Sequence, residues 1–280
     1  MNEWSNVLTI KTLGFLGAGN MAGAIIHGLL DSGFEAANLH ICDLSADKLL
    51  PFAEQGCHTT DQAERLFSDC DAVLLAVKPQ VLKQVLQPLA ATAQQHQPLI
   101  LSVVAAIGED SINTWLGGDQ AIIRTMPNTP ALVLQGATGL FANARVSADQ
   151  RTFAESVFSG IGQFTWVEDE ALLHAVTAAA GSAPAYFFRF AEAMSAVATE
   201  QGLNAAQART LIGQTMLGAA KMIMQTDDPI DQMRKNVCSP NGTTERAIFS
   251  FNDDDIDAMV KRAMQACYDR SVELSEQLAD

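Results

Sequence analysis

The first 167 residues alternate short apolar runs with amphipathic stretches. Runs of the length of buried strands lie at 13–16, 39–42, 71–77, 99–104 and 121–125, with weaker ones at 57–59, 137–141 and 164–167. Between them, apolar residues recur at spacings of three and four, which is the period of an α-helix. This alternation predicts an α/β fold with an N-terminal, Rossmann-type, doubly wound and mainly parallel sheet.

The pattern changes after about residue 168. Alanine-rich helical patterns cover 170–180, 183–201, 205–225 and 253–278, and no convincing strand interrupts them. Several carry small and apolar residues around most of their circumference, and such helices require burial on every side. We therefore predict a dinucleotide-binding domain over 1–167 and an all-helical domain over 168–280 that forms at least a dimer.

The first apolar run leads into a glycine-rich turn. The sequence Gly17-Ala18-Gly19-Asn20-Met21-Ala22 follows the strand at 13–16 and opens a helix. In a G-x-G-x-x-A pattern, the first glycine permits the tight turn, the second admits a pyrophosphate and the alanine allows close helix–strand packing. We predict that residues 17–21 bind a dinucleotide; the alternative is an ordinary glycine-rich turn.

Asp43 ends the second predicted strand, 26 positions after Gly17. A carboxylate there accepts hydrogen bonds from the adenosine ribose, which favours NAD, and it repels the 2′-phosphate of NADP. Lys48 follows closely enough to offset that repulsion, so NADH and NADPH both stay open. The alternative is that Asp43 only begins the turn before Ser45.

Two further segments follow predicted strands and so reach the same sheet edge. Ala76-Val77-Lys78-Pro79 ends the central strand, where open sheets bind ligands, and is a candidate lining for the nicotinamide. The alternative for Lys78 is a solvated charge. The two prolines of the segment 124–130 make its backbone rigid, which suits either contacts to a bound ring or a stiff connection between domains.

The segment from Ser239 to Glu245 has the pattern of a helix start. Ser239 is the expected N-cap and Pro240 the expected first helical residue. Free N–H groups and hydroxyls at such a start form a carboxylate site. The alternative is a well-capped structural helix.

Composition and charge exclude several classes of partner. The 17 basic and 32 acidic residues give a net charge of −15, which argues against nucleic acid and anionic membranes as partners. The five cysteines contain no C-x-x-C pair and suit a reducing compartment. The start Met1–Trp4 lacks the features of a signal peptide, and no run is apolar enough to span a membrane, so we expect a cytoplasmic protein.

Common catalytic signatures are missing from the sequence. There is no H-E-x-x-H, G-x-S-x-G or phosphate-binding P-loop pattern, and no cluster that requires a metal. The five histidines are scattered without acidic partners at a telling spacing. A hydroxy-acid dehydrogenase needs a general base beside the reacting carbon. Its absence favours a substrate that is already electrophilic, such as a protonated imine.

Together the motifs resemble the pyrroline-5-carboxylate reductase family over about residues 13–274. The resemblance rests on the segments 17–21, 76–80, 124–130, 214–220 and 239–244, which stand in the family's order. It implies hydride transfer from NADPH or NADH to 1-pyrroline-5-carboxylate, giving L-proline in the last step of proline biosynthesis. It also implies a helical substrate-binding and dimerisation domain, whose partner subunit shares each active site.

The resemblance further implies roles for individual residues. The backbone of Gly242, Thr243 and Thr244 and the Ser239 hydroxyl would bind the substrate carboxylate. The Thr244 hydroxyl would lie near the ring nitrogen. Val77, Lys78 and Pro79 would pack beside the nicotinamide, and Asn128 would close the floor of the site with Pro130.

Three departures from the family pattern keep alternatives open. Ala183 and Asn241 replace usual glycines, and 245–251 replaces a small, glycine-containing stretch. The enzyme alternative is a paralogous NAD(P)H-dependent reductase of another small cyclic imine or keto acid. For the β-hydroxyacid dehydrogenase group, the surroundings of Lys221 do not match the expected catalytic lysine. A cofactor-sensing regulatory protein is the non-enzyme alternative, although Ser239, Gly242 and Thr244 are all present.

Overall fold

The computed structural model describes residues 10–279 of the chain. The chain divides into two compact units. The first unit covers Met1–Ser182 and Cys267–Asp280, and the second covers Ala183–Ala266. The start Met1–Trp4, which in sequence lacks the features of a signal peptide, lies outside the described residues. The compact units divide after Ser182. A functional boundary between domains after residue 167 stays a prediction.

The first unit contains one eight-stranded sheet. Its strands are β1 (Leu13–Leu16), β2 (Leu39–Cys42), β3 (His58–Thr60), β4 (Ala72–Leu75), β5 (Leu99–Ser102), β6 (Ile122–Met126), β7 (Gly136–Ala142) and β8 (Gly162–Trp166). The strand order is β3-β2-β1-β4-β5-β6-β7-β8. Strands β1 to β6 run parallel, β7 is antiparallel to β6, and β8 is parallel to β7. The predicted doubly wound, mainly parallel sheet is confirmed.

Helices and turns connect these strands. They are α1 (Asn20–Asp31), α2 (Ala46–Glu54), α3 (Ala63–Asp69), α4 (Pro79–Leu86), α5 (Ala90–His96), α6 (Glu109–Trp115), α7 (Ala148–Ser159) and α8 (Leu172–Val176), which continues into a π-helical turn (Thr177–Gly181). Two apolar clusters fill this unit, and alternate residues of β4 belong to each: Leu74 to one, Val73 and Leu75 to the other. This is why β4 is apolar throughout, as a strand covered on both faces must be.

The second unit is built from helices. They are α9 (Ala183–Glu200), α10 (Ala205–Gln225), α11 (Ile230–Val237), α12 (Thr243–Asp253) and α13 (Ile256–Leu278), whose last residues belong to the first unit. The predicted all-helical character is confirmed. Helix α11 was not predicted, because it is short and mostly polar. No helix within residues 10–279 is long and apolar enough to cross a membrane.

Candidate functional site

The glycine-rich turn after β1 is possible only with glycine at position 17. Gly17 has φ +105°, and a Cβ there would lie 2.8 Å from the carbonyl oxygen of Ala76. The Gly17 N–H donates to the carbonyl of Cys42 at 2.8 Å, and the Ala76 N–H donates to Leu16 at 2.8 Å. The turn therefore packs directly against the chain that leaves β4, and Gly17 permits the tight turn that the fingerprint predicts.

Helix α1 begins at this turn without a side-chain cap. Gly19 is its N-cap, with φ −81°, and the first turn contains no acidic residue. Nothing lies within 4 Å of the position that a Cβ on Gly19 would take. Because the first N–H groups of a helix have no partner within it, those beyond Gly19 can bind an anion such as a pyrophosphate.

Asp43 lies beside the same turn. One carboxylate oxygen accepts from the Ala18 N–H at 3.0 Å, and the other accepts from the Ser45 N–H at 3.0 Å. Lys48 Nζ lies 3.2 Å from the carboxylate. Burial alone raises the pKa of Asp43, but the two N–H groups and Lys48 outweigh it and hold the pKa below its ordinary value. Asp43 thus begins the turn before Ser45 and also stands where a ribose acceptor is expected.

The predicted nicotinamide segment leaves β4 at the same edge. Lys78 is the N-cap of α4, and Pro79 is the first helical residue. The Lys78 side chain is exposed, while Ala76, Val77 and Pro79 are half-buried. The structure thus brings the residues predicted to bind the cofactor to the carboxyl ends of β1, β2 and β4, where open α/β sheets bind ligands.

Asn128 follows β6 and is buried, with 8% of its surface exposed. Its side-chain oxygen accepts from the Ala137 N–H at 2.9 Å. Its Nδ2 donates to the carbonyl of Ala180 at 3.1 Å. Both ends of the amide are therefore bound to main-chain groups of the protein itself, a feature that the motif at 124–130 did not indicate.

The predicted start of the substrate helix at Ser239 is wrong by three residues. The N-cap of α12 is Gly242, and Thr243 is the first helical residue. The Gly242 N–H closes a turn to the carbonyl of Ser239 at 2.9 Å, and Asn241 within the turn has φ +60°. A left-handed residue cannot lie inside an α-helix, so the helix begins only after Asn241. The turn from Ser239 to Gly242 has proline at its second position and a left-handed residue at its third, which fits a type II turn.

The turn leaves the start of α12 accessible. Gly242 provides no side-chain cap, and a Cβ there would lie 2.9 Å from the carbonyl oxygen of Ser239. Thr243 is exposed and Thr244 is half-buried. Within the second unit, the structure thus brings Ser239, Gly242, Thr243 and Thr244 together around an N-terminus that can hold a carboxylate.

The sequence analysis did not identify two carboxylates with structural roles, one at the start of α12 and one in the first unit. Glu245 Oε2 accepts from the Asn241 N–H at 2.8 Å and so holds the turn before α12. Glu245 stands three residues after the N-cap, but the capping-box pattern does not point to it, because the N-cap is glycine and the bond is to the residue before it. Glu170 Oε1 lies 2.9 Å from Arg124 Nη1, and no local pattern pairs these two residues.

The described residues contain free thiols, and they contain no cluster of potential metal ligands. All five cysteines are free thiols. Burial raises the pKa of Cys42 to about 11 and that of Cys70 to about 12, which removes the reactive thiolate at neutral pH. Among residues 10–279, no group of three or more His, Cys, Asp or Glu side chains is placed to hold a metal ion.

Two family models match the chain, one in its N-terminal part and one in its C-terminal part. Residues 170–274 match the model described as pyrroline-5-carboxylate reductase dimerisation. Residues 12–106 match the model described as NADP oxidoreductase coenzyme F420-dependent. The second match contains the glycine-rich turn at 17–21, and the first contains the turn at 239–242.

Full-length relatives agree with these matches. The chain is 43% identical to pyrroline-5-carboxylate reductase of Pseudomonas aeruginosa over 97% of this chain and 99% of that protein. It is 40% identical to that of Haemophilus influenzae over 94% and 97%. A solved reductase from Coxiella burnetii superposes with a TM-score of 0.91 at 38% identity, covering 95% of this chain and 99% of the other. One from Plasmodium falciparum with NADP bound gives 0.85 at 25% identity, covering 96% and 100%.

Proposed function

This chain belongs to the pyrroline-5-carboxylate reductase family, and from that premise we propose which of its residues hold the two reactants. The activity is NAD(P)H-dependent reduction of 1-pyrroline-5-carboxylate to L-proline, the last step of proline biosynthesis. The chain self-associates through its helical domain. Its free cysteines suit a reducing compartment, and the cytoplasm is the location we assign to it.

The assignment of the two binding sites rests on two helix N-termini that lack a side-chain cap. Helices α1 and α12 both begin behind a glycine N-cap, Gly19 and Gly242, that offers no side-chain cap. Each start leaves N–H groups for an anion. The first, with Gly17, Ala18, Asn20 and Met21, binds the cofactor pyrophosphate. The second, with Ser239, Thr243 and Thr244, binds the substrate carboxylate.

The chemistry requires orientation more than acid–base catalysis. When bound, the cofactor would supply the hydride for the new C–H bond at C5 of the substrate, and the C=N π electrons would move to the ring nitrogen. A protonated ring nitrogen makes C5 electrophilic before any protein group acts. Thr244 holds that nitrogen through its hydroxyl, and Ala76, Val77, Lys78 and Pro79 flank the nicotinamide. Fixing two reactants in this way accounts for a large share of rate enhancement.

The choice between NADH and NADPH depends on Asp43 and Lys48. The Asp43 carboxylate is fixed beside the turn and repels a 2′-phosphate, whereas Lys48 at 3.2 Å reduces that repulsion. We assign the chain activity with both cofactors and a preference for NADH, because Lys48 is about half exposed and partly screened by solvent.

The deciding assay measures oxidation of NADH and NADPH, at equal concentrations, with L-1-pyrroline-5-carboxylate. Proline as product establishes the reaction, and the rate ratio reports the cofactor preference. No turnover with either cofactor, by protein that still binds one of them, would instead support a paralogue for another cyclic imine. The residues beyond Glu245, including Phe249 and Phe251, would then be the first place to look.

A further inference from the structure

The segment from Glu170 to Gly181 is packed tightly in the first unit. We call it the α8 segment; it contains α8 and the π-helical turn. A Cβ on Gly139 of β7 would lie 2.7 Å from Val176, and one on Gly181 would lie 2.5 Å from Met126 Cε. At Gly139 the branched Val176 side chain leaves no space for a methyl group, whereas at Gly181 the end of the flexible Met126 side chain fills the space. A π-helical turn is rare and is found frequently at functional sites.

Arg124 holds the first end of the α8 segment. Its Nη1 donates to Glu170 Oε1 at 2.9 Å, and only 9% of its side chain is exposed. The same oxygen accepts the N–H of Glu109, at the start of α6, at 2.6 Å. Arg124 is the buried partner, so separating it from Glu170 would leave its charge uncompensated inside the protein, and this anchor therefore resists displacement.

Asn128 holds the other end. It donates to the carbonyl of Ala180 within the π-helical turn, and through its oxygen it is itself fixed by the N–H of Ala137. The turn closes through a hydrogen bond from the Ser182 N–H to the carbonyl of Thr177 at 2.8 Å. Asn128 thereby joins the π-helical turn to the start of β7.

Both anchors come from one short stretch at the carboxyl end of β6. The prolines that follow Met126 make this stretch rigid, and it lies on the edge that also carries the glycine-rich turn and the end of β4. The sequence analysis offers two roles for this stretch, contacts to a bound ring or a stiff connection between domains. The observed bonds link it to other parts of the first unit, which is a third role.

We propose that Arg124 and Asn128 are positioning residues for hydride transfer, which fix the α8 segment at the carboxyl edge of β6 beside the nicotinamide. This inference rests on the proposed function. Neither residue needs to touch a reactant, because each acts through the main chain it holds. Misplacement of reacting groups by about 1 Å costs about 100-fold in rate, so loosening this segment affects turnover.

The test compares Asn128→Ala and Asn128→Asp with the unmodified enzyme. Alanine removes both hydrogen bonds, whereas aspartate keeps an acceptor for Ala137 and loses the donor to Ala180. For both variants we expect kcat to fall about 10- to 100-fold, with cofactor Kd changed less than about twofold. The primary isotope effect with cofactor deuterated at C4 should rise, because hydride transfer becomes more rate-limiting.

Thr125→Val is the matched control. The Thr125 hydroxyl is buried in β6, three residues before Asn128, and it donates to the carbonyl of Ser102 in β5 at 3.1 Å rather than to the α8 segment. This variant should lose thermal stability and keep the isotope effect and KM of the unmodified enzyme. An equal rise of the isotope effect in Thr125→Val, or an unchanged kcat in Asn128→Ala, would overturn the proposal.

Hydrogen exchange tests the Asn128 anchor independently of whether the enzyme reduces pyrroline-5-carboxylate. Amides of residues 177–182 should exchange faster in Asn128→Ala than in the unmodified protein, whether or not pyrroline-5-carboxylate is reduced. Unchanged exchange contradicts the anchor itself. Absence of turnover by the unmodified protein, with faster exchange in the variant, contradicts only the assigned reaction.

Discussion

The two units of this chain differ in how completely each buries its own apolar residues. In the first unit, Phe15, Leu74 and Phe153 are fully buried. In the second, Phe188 and Met224 are each 68% exposed. The buried apolar residues of the second unit are Ala183, Ala208 and Ile212. The first unit therefore has a core of its own, and the second relies on self-association to cover its helices.

This difference separates the two proposed binding sites. The glycine-rich turn, to which we assign the cofactor, is held by glycine geometry and hydrogen bonds within one well-packed unit. The turn at 239–242, to which we assign the substrate carboxylate, belongs to helices whose apolar faces are covered only when a second copy is present. We therefore expect changes in the second unit to affect assembly and substrate together, while changes at the cofactor turn act within a single chain.

The largest expected effect follows from placing a charge on an apolar helix of the second unit. Leu217 on α10 is 46% exposed in the single chain. Leu217→Asp should raise the Kd of self-association about 1,000-fold, because an unpaired carboxylate would be buried in the assembly. Light scattering after size-exclusion chromatography and the thermal midpoint measure this. Leu50→Asp is the control, since Leu50 on α2 of the first unit is 58% exposed and should leave the mass unchanged.

Gly17→Ala should be the most damaging change at the cofactor turn. A methyl group would lie 2.8 Å from the Ala76 carbonyl at φ +105°, so clash and backbone strain together should cost about 3 kcal/mol of unfolding free energy. Gly118→Ala provides the control, because Gly118 has φ +91° with nothing within 4 Å. It should show the strain alone, about 1 kcal/mol. Equal losses in denaturant unfolding would contradict the clash.

Thr244→Val should lower kcat about 10- to 100-fold, since it removes the hydroxyl that we place near the ring nitrogen. Valine keeps the shape of the side chain, so cofactor affinity and assembly should be unchanged. Thr226→Val is the control within the same unit, because the Thr226 hydroxyl donates to the Met222 carbonyl at an exposed position. Equal kcat in the two variants would remove Thr244 from the site.

Local features explain what the sequence could reveal. The apolar run of β4 and the glycine turn are determined by residues adjacent in the chain, and both were predicted. Glu170, the partner of Arg124, lies 46 residues away, and Ala180, one of the two partners of Asn128, lies 52 residues away, so only tertiary packing brings these pairs together. The start of α12 was misplaced because Ser-Pro is a common helix start, and the left-handed Asn241 overrides it. The π-helical turn leaves no periodic signal at all.

The smallest expected effect is a change in cofactor preference when Asp43 is replaced. Asp43→Ser should raise the ratio of kcat/KM for NADPH over NADH about tenfold, because it removes a charge beside the 2′-phosphate while Lys48 remains. Asp43→Asn removes the same charge in a side chain of equal size, so it should shift the ratio in the same direction. A shift with serine alone would assign the effect to the altered hydrogen bonds to Ala18 and Ser45. No shift in either variant would mean that the carboxylate holds the turn and does not face the ribose.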